Sequence, residues 1–228
     1  IMNRASFYRQ FEDVHRGDRS IIKARQKVYL DFVLPLKAKT EHFRTLDLGC
    51  GRGEWLELLD EHGVRSVGVD MDTGMLHACE ERGLVTVKAD ALSYVKKLED
   101  ESLNVISAFH LVEHLPFEVL LELMDEIHRA LKPGGIIILE TPNPENVLVA
   151  SHYFYVDPTH QRPVPPSLLE FVAKFTGFLR HGLLRLNGDP SLISEKNISL
   201  WDVFSGASPD YAVIAQKKGP QDLIECLN

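Results

Sequence analysis

The stretch "TLDLGCGRGEWLELL", residues 45–59, decides the fold of this chain. A short apolar run that contains Asp47 leads into three glycines, Gly49, Gly51 and Gly53, and then into apolar residues at helical spacing. A glycine-rich turn between a strand and a helix lets the backbone approach a ligand closely. The stretch therefore predicts a strand, a ligand-binding loop and a helix that ends at Gly63.

The acid before the glycines narrows the choice of ligand. A carboxylate at Asp47 would repel a pyrophosphate, but it would attract an ammonium group. Glu54 stands where a dinucleotide-binding fingerprint has its third glycine. A nucleoside that carries an amino acid in place of phosphates, such as S-adenosylmethionine, suits this loop. The same two residues disfavour a nicotinamide-dependent dehydrogenase.

Composition sets further bounds on the class of protein. The chain has 228 residues, enough for one α/β domain with a continuous core. Its formal net charge of -8 argues against a nucleic-acid partner, because phosphate binding needs a basic face. The three cysteines show neither zinc-ligand nor disulfide spacing, which favours a reducing cytoplasmic setting. No apolar run approaches the ~18 residues of a membrane span.

Strands and helices alternate along the chain, which predicts a doubly wound, mostly parallel sheet with ligands at the strands' carboxyl ends. An amphipathic helix precedes the first strand, and the last two strands are expected to pair antiparallel. The predicted strands are 45–48, 66–70, 84–90, 103–110, 135–142, 182–186 and 210–218, and the predicted helices are 20–38, 53–63, 73–83, 117–135 and 166–178.

Two more acids end the second and third predicted strands. Asp70 lies 23 residues beyond Asp47, where an acid can accept hydrogen bonds from both ribose hydroxyls. Asp90, followed by Ala91, can accept a hydrogen bond from an adenine amino group, and Met71 can pack on the adenine face. Each acid could instead cap the next helix. Three such acids in succession behind the glycine loop favour the nucleoside.

Five segments carry a family resemblance: "LDLGCGRGEWL", "GVDMD", "KADAL", "FHLVEHL" and "LKPGGIIILETPNPEN". Over residues 42–218 the chain resembles the class I S-adenosylmethionine-dependent methyltransferases, in the subgroup similar to quinone-biosynthesis enzymes. The resemblance implies a Rossmann-like, seven-stranded, mostly parallel sheet with an N-terminal helical extension, and S-adenosylmethionine as cofactor. The cofactor residues that it implies are Asp47, Gly49, Gly51, Gly53, Asp70, Met71, Asp90, Ala91 and His110.

The outer segments narrow the resemblance. "FYRQFEDVHRGDRSIIKARQKVYLDFV" and "HYFYVDPTHQRPVP" look like methyltransferases of bacterial polysaccharide assembly, some of which cap O-antigen chains of lipopolysaccharide. This implies a saccharide or lipid-linked polysaccharide acceptor, glycosyltransferase or kinase modules as partners, and a cytoplasmic location, peripheral to the inner membrane through those partners. We expect an N-terminal cap at 1–41, the methyltransferase domain at 42–218 with an acceptor lid at 142–180, and a linker or tail at 219–228.

The acceptor decides which catalytic group is needed. A sugar hydroxyl has a high pKa and gains from a general base, whereas a phosphate acceptor needs only cationic side chains. His160, in the proline-rich "DPTHQRP", and His114, in "FHLVEHL", are the candidate bases. A structural hydrogen-bonding role for His114 is equally consistent with the sequence.

The remaining candidate residues surround these histidines or precede the first strand. Tyr153 and Tyr155 could form a platform for a sugar or an aromatic ring, or could belong to the core, and Asp157 and Arg162 are candidate acceptor contacts. Arg16 is a candidate partner of the methionine carboxylate. No metal site is predicted, although His152, Asp157 and His160 could in principle form one.

The sequence thus favours an S-adenosylmethionine-dependent O-methyltransferase that acts on a saccharide, at the non-reducing end of a bacterial surface polysaccharide. One alternative stays within the enzymes, with a small phenol or quinol as acceptor. Another is a methyltransferase-like binding module without activity, which the intact glycine loop and strand-end acids argue against.

Overall fold

The computed structural model describes residues 17–194 and 197–227, which contain a seven-stranded sheet flanked by helices. The strands are β1 Thr45–Leu48, β2 Ser66–Asp70, β3 Thr86–Lys88, β4 Leu103–Phe109, β5 Leu131–Pro142, β6 Arg180–Leu186 and β7 Asp210–Gln216. Their order is β3-β2-β1-β4-β5-β7-β6, and β7 runs antiparallel to both of its neighbours while the β3-to-β5 strands pair in parallel. The predicted doubly wound, mostly parallel sheet is confirmed, including its closing antiparallel pair.

Helices connect the strands and precede the first one. The α-helices are α1 Arg19–Gln26, α2 Leu30–Ala38, α3 Glu54–Glu61, α4 Thr73–Glu80, α5 Ala91–Val95, α6 Phe117–Ala130, α7 Val147–Ser151, α8 Pro166–Thr176, α9 Ser191–Ser194, α10 Leu200–Gly206 and α11 Gln221–Glu225. Short 3-10 helices occupy Lys27–Tyr29, Val112–His114 and Tyr153–Val156. The last two of these follow β4 and α7, at the edge of the sheet where the parallel strands end.

Alternating residues of the central strands divide the core into two layers. On β4, Ile106 and Ala108 pack in the layer that contains α6 and α8, whereas Val105 and Phe109 pack in the layer that contains α2 and α3. The residues of β5 alternate in the same way. Successive side chains of a strand point to opposite faces, so apolar residues at every position require helices on both faces of the sheet.

The N-terminal helix is divided where the sequence predicts one continuous helix over 20–38. The 3-10 turn at Lys27–Tyr29 separates α1 from α2. It places the Tyr29 ring against Trp55 and Phe109, with ring centroids 6.1 Å and 5.1 Å apart respectively. Buried aromatic packing therefore sets the direction of the chain at this point, which helical periodicity does not reveal. Residues 1–16 of the predicted cap lie outside the described residues.

Two further boundaries differ from the sequence-based expectation. Helix α6 ends at Ala130 because Leu131 already has an extended backbone, so the Pro-Gly-Gly segment belongs to β5 and does not end the helix. The third strand is confined to Thr86–Lys88 at the edge of the sheet, where its side chains are largely exposed. Within the predicted lid, α8 packs on α6 and contributes Leu169 to the core. The domain boundaries themselves stay predictions.

Gly53 should be the most sensitive position of the glycine loop in a test of stability. It has φ +78°, and an added Cβ would lie 2.8 Å from both Cys79 Sγ and Leu84 Cδ1. We expect Gly53→Ala to lower the free energy of unfolding in urea by about 2–4 kcal/mol, from left-handed strain plus overlap. Gly83 has φ +71° with nothing within 4 Å of an added Cβ, so Gly83→Ala should cost only about 1 kcal/mol. Equal losses of unfolding free energy in the two variants would show that the glycine loop accommodates the added Cβ of Gly53→Ala without further cost.

Candidate active site

Two adjoining cavities lie at the carboxyl ends of β1, β2 and β4. The outer cavity, of about 280 Å³, is lined by residues that include Gly49, Gly51, Asp70, Met71, Asp72, Asp90, Ala91, His110, Leu111 and His114. The inner cavity, of about 250 Å³, is lined by residues that include Arg25, Gln26, Asp47, Gly49, Trp55, His110, Glu140 and Asp210. Gly49 and His110 border both cavities. The structure thus brings together eight of the nine cofactor residues that the resemblance implies; the ninth, Gly53, is the N-cap of α3.

A larger cavity, of about 1020 Å³, lies at the opposite edge of the sheet. Its lining includes Thr45, Ser66 and Leu103, the first residues of β1, β2 and β4. Ligands of open α/β sheets bind outside the carboxyl ends of the strands, next to the loops that follow them. The two smaller cavities are therefore the better candidates for the active site despite their size.

Asp70 holds the glycine loop and keeps acceptor capacity for a ligand. Its Oδ2 accepts a hydrogen bond from the Gly51 N–H at 2.9 Å, and its Oδ1 accepts one from the Asp72 N–H at 2.8 Å. A carboxylate oxygen can accept two hydrogen bonds, so one acceptor position remains on each oxygen. This arrangement fits the two neighbouring hydroxyls of a ribose. Asp72, not Asp70, caps α4 through the N–H groups of Gly74 and Met75.

Asp90 does cap the helix that follows it. Its Oδ1 accepts a hydrogen bond from the Ser93 N–H at 2.8 Å, at the start of α5. The capping interpretation therefore holds for Asp90, while its second oxygen can still accept a bond from an adenine amino group. Met71, 67% exposed, borders the same cavity and offers an apolar surface to a base.

Buried polar groups surround the inner cavity. Asp47 is only 2% exposed and accepts a hydrogen bond from Ser107 Oγ at 2.7 Å. Gln26 Oε1 and Trp55 Nε1 are buried without a hydrogen-bond partner among the described residues. Such orphaned groups favour a polar ligand. Asp47 and Gln26 suit an ammonium group, and Arg25, which the sequence did not single out, suits a carboxylate. The residues present therefore fit the amino-acid part of S-adenosylmethionine.

The N-terminal helix is fastened to the glycine loop by charged side chains. Arg19 donates to the carbonyl oxygen of Arg52 in the loop and to Glu57 of α3, the latter at 2.7 Å. Lys23 also pairs with Glu57, at 2.9 Å. These contacts hold α1 over the inner cavity. Arg16, the predicted partner of the methionine carboxylate, lies outside the described residues.

His110 lies between three carboxylates. Its Nδ1 is 3.3 Å from Glu113 Oε1, and its Nε2 is 3.3 Å from Glu140 Oε1 and 3.9 Å from Asp210 Oδ1. Burial disfavours the imidazolium, but the interactions with Glu113 and Glu140 and the charge of Asp210 outweigh it and raise the pKa of His110 to about 10. His110 is therefore a cation at neutral pH, with both ring nitrogens protonated.

His114 and His160 differ from His110, because each uses Nδ1 in a hydrogen bond to a neutral oxygen. Thr159 Oγ1 donates to Asp157 Oδ1 at 2.7 Å, so it accepts from His114 Nδ1 at 2.9 Å. His160 Nδ1 donates to the carbonyl oxygen of Phe154 at 2.6 Å. In the neutral form of either ring, the lone pair is therefore on Nε2. Burial lowers the pKa of His114, and the nearby His160 lowers it further although Glu113 opposes the shift.

The two histidine rings meet above a buried acid. Their centroids are 4.7 Å apart, and His160 Nε2 lies 4.0 Å from Glu113 Oε1. Glu113 is fully buried, and its Oε2 accepts a hydrogen bond from Thr141 Oγ1 of β5 at 2.9 Å. Burial opposes ionisation, but His110 and His114 lower the pKa of Glu113. The carboxylate of Glu113 and the imidazoles of His114 and His160 form what we call the lid cluster.

The other predicted acceptor residues are arranged less tightly. Tyr153 and Tyr155 are 60% and 65% exposed, whereas Phe154 between them is buried against the His160 ring. Tyr153 and Tyr155 therefore form an exposed surface, whereas Phe154 belongs to the core. Each of the two interpretations that the sequence allowed applies to part of this aromatic run. Arg162 stacks on the Phe117 ring at 4.4 Å. Asp157 lies 3.9 Å from His160 Nε2.

Several residues of the site had no clear signal in the sequence. Glu140 lies inside the apolar fifth strand, where it accepts a hydrogen bond from Tyr29. Asp210 begins β7, and an antiparallel strand begins at the edge where its parallel neighbours end. The predicted closing pair could have revealed Asp210 on this basis. Thr159, which orients His114, could not have been found from local sequence.

Comparison with known proteins agrees with this fold and site. A family model described as "Methyltransferase domain" matches residues 21–178. A solved S-adenosylmethionine-dependent methyltransferase from Archaeoglobus fulgidus is 34% identical, with a TM-score of 0.79 over 92% of this chain and 100% of that one. A phosphoethanolamine methyltransferase from Haemonchus contortus, in complex with S-adenosylhomocysteine, shares the fold at 20% identity and a TM-score of 0.60, over 93% of this chain and 60% of that one.

Curated relatives match over shorter stretches. A trans-aconitate 2-methyltransferase from Rhizobium rhizogenes is 37% identical over 113 residues, which cover 48% of this chain and 41% of the relative. A ubiquinone biosynthesis O-methyltransferase from Idiomarina loihiensis is 28% identical over 141 residues, which cover 55% of this chain and 57% of the relative. The chain thus spans about half the length of these relatives.

The fold and the strand-end site define a class I methyltransferase. The chain belongs to the S-adenosylmethionine-dependent methyltransferase family, so the predicted family and its cofactor are confirmed. Neither the trans-aconitate nor the ubiquinone enzyme is named for a saccharide acceptor, and the chain-capping resemblance stays a proposal. Among the described residues, no helix is long and apolar enough to cross a membrane.

The two roles of Asp90 can be separated by one substitution. Serine is as good an N-cap as aspartate, so Asp90→Ser should keep the free energy of unfolding within about 0.5 kcal/mol. Loss of the carboxylate should weaken S-adenosylhomocysteine binding about five- to tenfold in calorimetric titration, by removal of one hydrogen bond to the base. Asp18→Ser, at the N-cap of α1 and outside both cavities, is the matched control. Unchanged affinity in Asp90→Ser would leave Asp90 with the capping role alone.

Proposed function

We propose that this protein transfers a methyl group from S-adenosylmethionine to a hydroxyl oxygen of a saccharide. The observation that carries the proposal is the lid cluster, in which two imidazoles use Nδ1 in hydrogen bonds and leave Nε2 for an acceptor, with His114 lining the candidate cofactor cavity. A hydroxyl acceptor needs such a group, because its oxygen is a weak nucleophile until its proton is removed or made more acidic.

Methyl transfer depends mainly on how the donor and the acceptor are positioned relative to each other. The cofactor supplies a methyl group that is bonded to a sulfonium sulfur. When the carbon–sulfur bond breaks, the sulfur keeps the electron pair, so the leaving group is a neutral thioether. The acceptor oxygen forms the new bond to carbon and gives up its proton. Asp70, Asp47 and the glycine loop position the donor, and the lid positions the acceptor, so that proximity and orientation supply much of the rate. His114 and His160 act on the hydroxyl, either directly as bases or through a bound cation.

The charge around the lid cluster favours a neutral acceptor. The carboxylates of Glu113 and Asp157 lie within 4.0 Å of His160 Nε2, and Asp70 and Asp90 border the adjoining cavity. As long as the lid cluster holds no metal ion, an anionic acceptor such as a phosphate or carboxylate would be repelled by this set, which outnumbers the nearby cation of His110. A hydroxyl compound would meet no such penalty.

The lid surface favours a saccharide over an apolar ring. Thr159 and Gln161 are exposed polar residues of the same lid that carries the exposed rings of Tyr153 and Tyr155. Exposed tyrosines combine an apolar face with a hydroxyl, which suits a sugar that is polar at its edges. We further propose the end of a bacterial surface polysaccharide as the acceptor, with glycosyltransferase or kinase modules as partners. This step rests on the resemblance of residues 7–33 and 152–165.

A phenol or quinol acceptor is the second candidate. It is supported by the relatives named ubiquinone biosynthesis O-methyltransferase, and by the same aromatic surface. An inactive binding module is the third. The strand-end acids and the hydrogen bond from the Gly51 N–H to Asp70 argue against it, because a module without activity does not need to keep them all.

A transfer assay with methyl-labelled S-adenosylmethionine distinguishes these candidates. We expect label in neutral oligosaccharides, with no gain from a terminal phosphate, since the lid cluster is surrounded by carboxylates. A catechol and a quinol of the ubiquinone type are the comparison acceptors. Label in these alone would overturn the saccharide proposal and keep the O-methyltransferase. Binding of S-adenosylhomocysteine without transfer to any acceptor class would favour the binding module.

The lid cluster should control turnover and not cofactor affinity. We expect His114→Ala and His160→Ala each to lower kcat about 100-fold or more, with S-adenosylhomocysteine affinity changed less than about twofold. His152→Ala is the matched control, because His152 belongs to the same lid but its ring packs on Tyr153 outside the cluster. Equal kcat values for all three variants would show that neither imidazole takes part in the reaction.

A further inference from the structure

We propose that the lid cluster, Glu113, His114 and His160, binds one divalent transition-metal ion. One ligand atom from each residue can be chosen so that all three lie within 4.8 Å of one another. The elements that supply them are distant in sequence: a 3-10 turn after β4 carries Glu113 and His114, and the lid carries His160. The structure groups His160 with these two residues, and not with His152 as the sequence suggested.

The spacing of the ligand atoms is close to that of a loaded site. Ligands about 2.0–2.1 Å from a tetrahedral ion lie about 3.3 Å from one another. His160 Nε2 and Glu113 Oε1 are 4.0 Å apart. These two atoms would have to approach each other by less than 1 Å to reach the spacing of metal ligands.

Each ligand is held from behind by a second residue. Phe154 accepts from His160 Nδ1, Thr159 accepts from His114 Nδ1, and Thr141 donates to Glu113 Oε2. Metal-binding histidines typically donate their other N–H to a carbonyl, carboxylate or hydroxyl, which fixes the tautomer and leaves the ligating nitrogen bare. Both histidines of the cluster meet this requirement before any ion is bound.

Glu113 supplies the independent sign that the polar network has spare acceptor capacity for a cation. Its side chain is fully buried, and Oε1 has no hydrogen-bond partner of good geometry among the described residues. The nearest cation is His110, 3.3 Å away in an ion pair. A buried carboxylate oxygen with spare acceptor capacity, beside two bare nitrogens, is a suitable position for a metal ion.

The donor set selects the class of metal. Two imidazoles and one carboxylate suit zinc, manganese, iron or cobalt, whereas Mg²⁺ prefers oxygen ligands. Asp157, whose Oδ2 lies 3.9 Å from His160 Nε2, can add a fourth ligand. The carboxylates of Glu113, Glu140 and Asp157 offset the positive charge of His110 nearby. Three or four protein ligands leave coordination positions open, as catalytic sites require.

The ion gives the lid cluster its role in the reaction, and this part of the inference rests on the proposed function. An acceptor hydroxyl that enters an open position becomes more acidic, so its proton can pass to solvent before the oxygen attacks the methyl carbon. The two histidines then act as ligands and not as bases. The alternative is a purely structural network that fastens the lid to the sheet.

Titration of chelator-treated full-length protein with Co²⁺ tests the site without cofactor or acceptor. We expect one ion per chain by calorimetry, together with visible absorption bands typical of nitrogen coordination. Glu113→Gln, His114→Ala and His160→Ala should each weaken binding at least ~10-fold, and Thr159→Val, which removes the hydrogen bonds of its hydroxyl to His114 and Asp157, should weaken it about 10-fold. Thr176→Val, a threonine bonded within α8, is its matched control and should bind as the parent does.

Two outcomes would overturn the inference. One is Co²⁺ binding that the three ligand variants leave unchanged. The other is a loss of Co²⁺ binding in His77→Ala and not in the ligand variants. His77 is an exposed histidine that lies 3.6–3.7 Å from two surface glutamates. S-adenosylhomocysteine titration of each variant reports on folding. Because the Co²⁺ titration needs no acceptor, its failure leaves the methyltransferase proposal standing, and absence of transfer leaves the metal site standing.

Discussion

Three buried carboxylates lie on or just after strands β1, β4 and β5 at the carboxyl edge of the sheet, and the surrounding structure serves to compensate for them. They are Asp47, Glu113 and Glu140, each at most 8% exposed. A buried carboxylate left without its partner costs about 3–5 kcal/mol, so each requires donors from other parts of the chain. Ser107 serves Asp47, Tyr29 serves Glu140, and Thr141 serves Glu113. The acids at this edge therefore determine which neighbours must approach it.

Three histidines meet these acids, and their environments give them different properties. His110 lies between carboxylates on both sides and is protonated. His114 and His160 donate Nδ1 to neutral oxygens, of Thr159 and Phe154, so neither gains a carboxylate partner on that side. The contrast follows from what accepts each N–H, because an ionised acceptor stabilises the imidazolium far more than a hydroxyl or carbonyl does. His110 balances charge, and the other two leave Nε2, the atom that carries the lone pair of the neutral ring, for a ligand.

The sequence predicts the sheet well because its central strands are apolar on both faces, a pattern that only a covered parallel sheet explains. The strand-end acids follow from the same reasoning, since parallel strands end at one edge. What escapes prediction depends on contacts between distant segments. The break between α1 and α2 reflects the packing of Tyr29 on Trp55. The pairing of His114 with Thr159 joins residues 45 positions apart. Neither periodicity nor motif spacing carries such information.

The lid links the chemistry of the site to the position of the chain above it. The Gln161 N–H donates to the carbonyl oxygen of Glu113 at 2.9 Å, and the Gln161 side chain donates to that of His114 at 2.9 Å. With the bonds of Thr159 and His160, these contacts make one segment responsible both for covering the sheet edge and for orienting both imidazoles. A lid that moved away would remove His160 and release the ring of His114. The bare nitrogens of the cluster therefore exist together only when the lid is closed over the cofactor edge, where an acceptor is shielded from water.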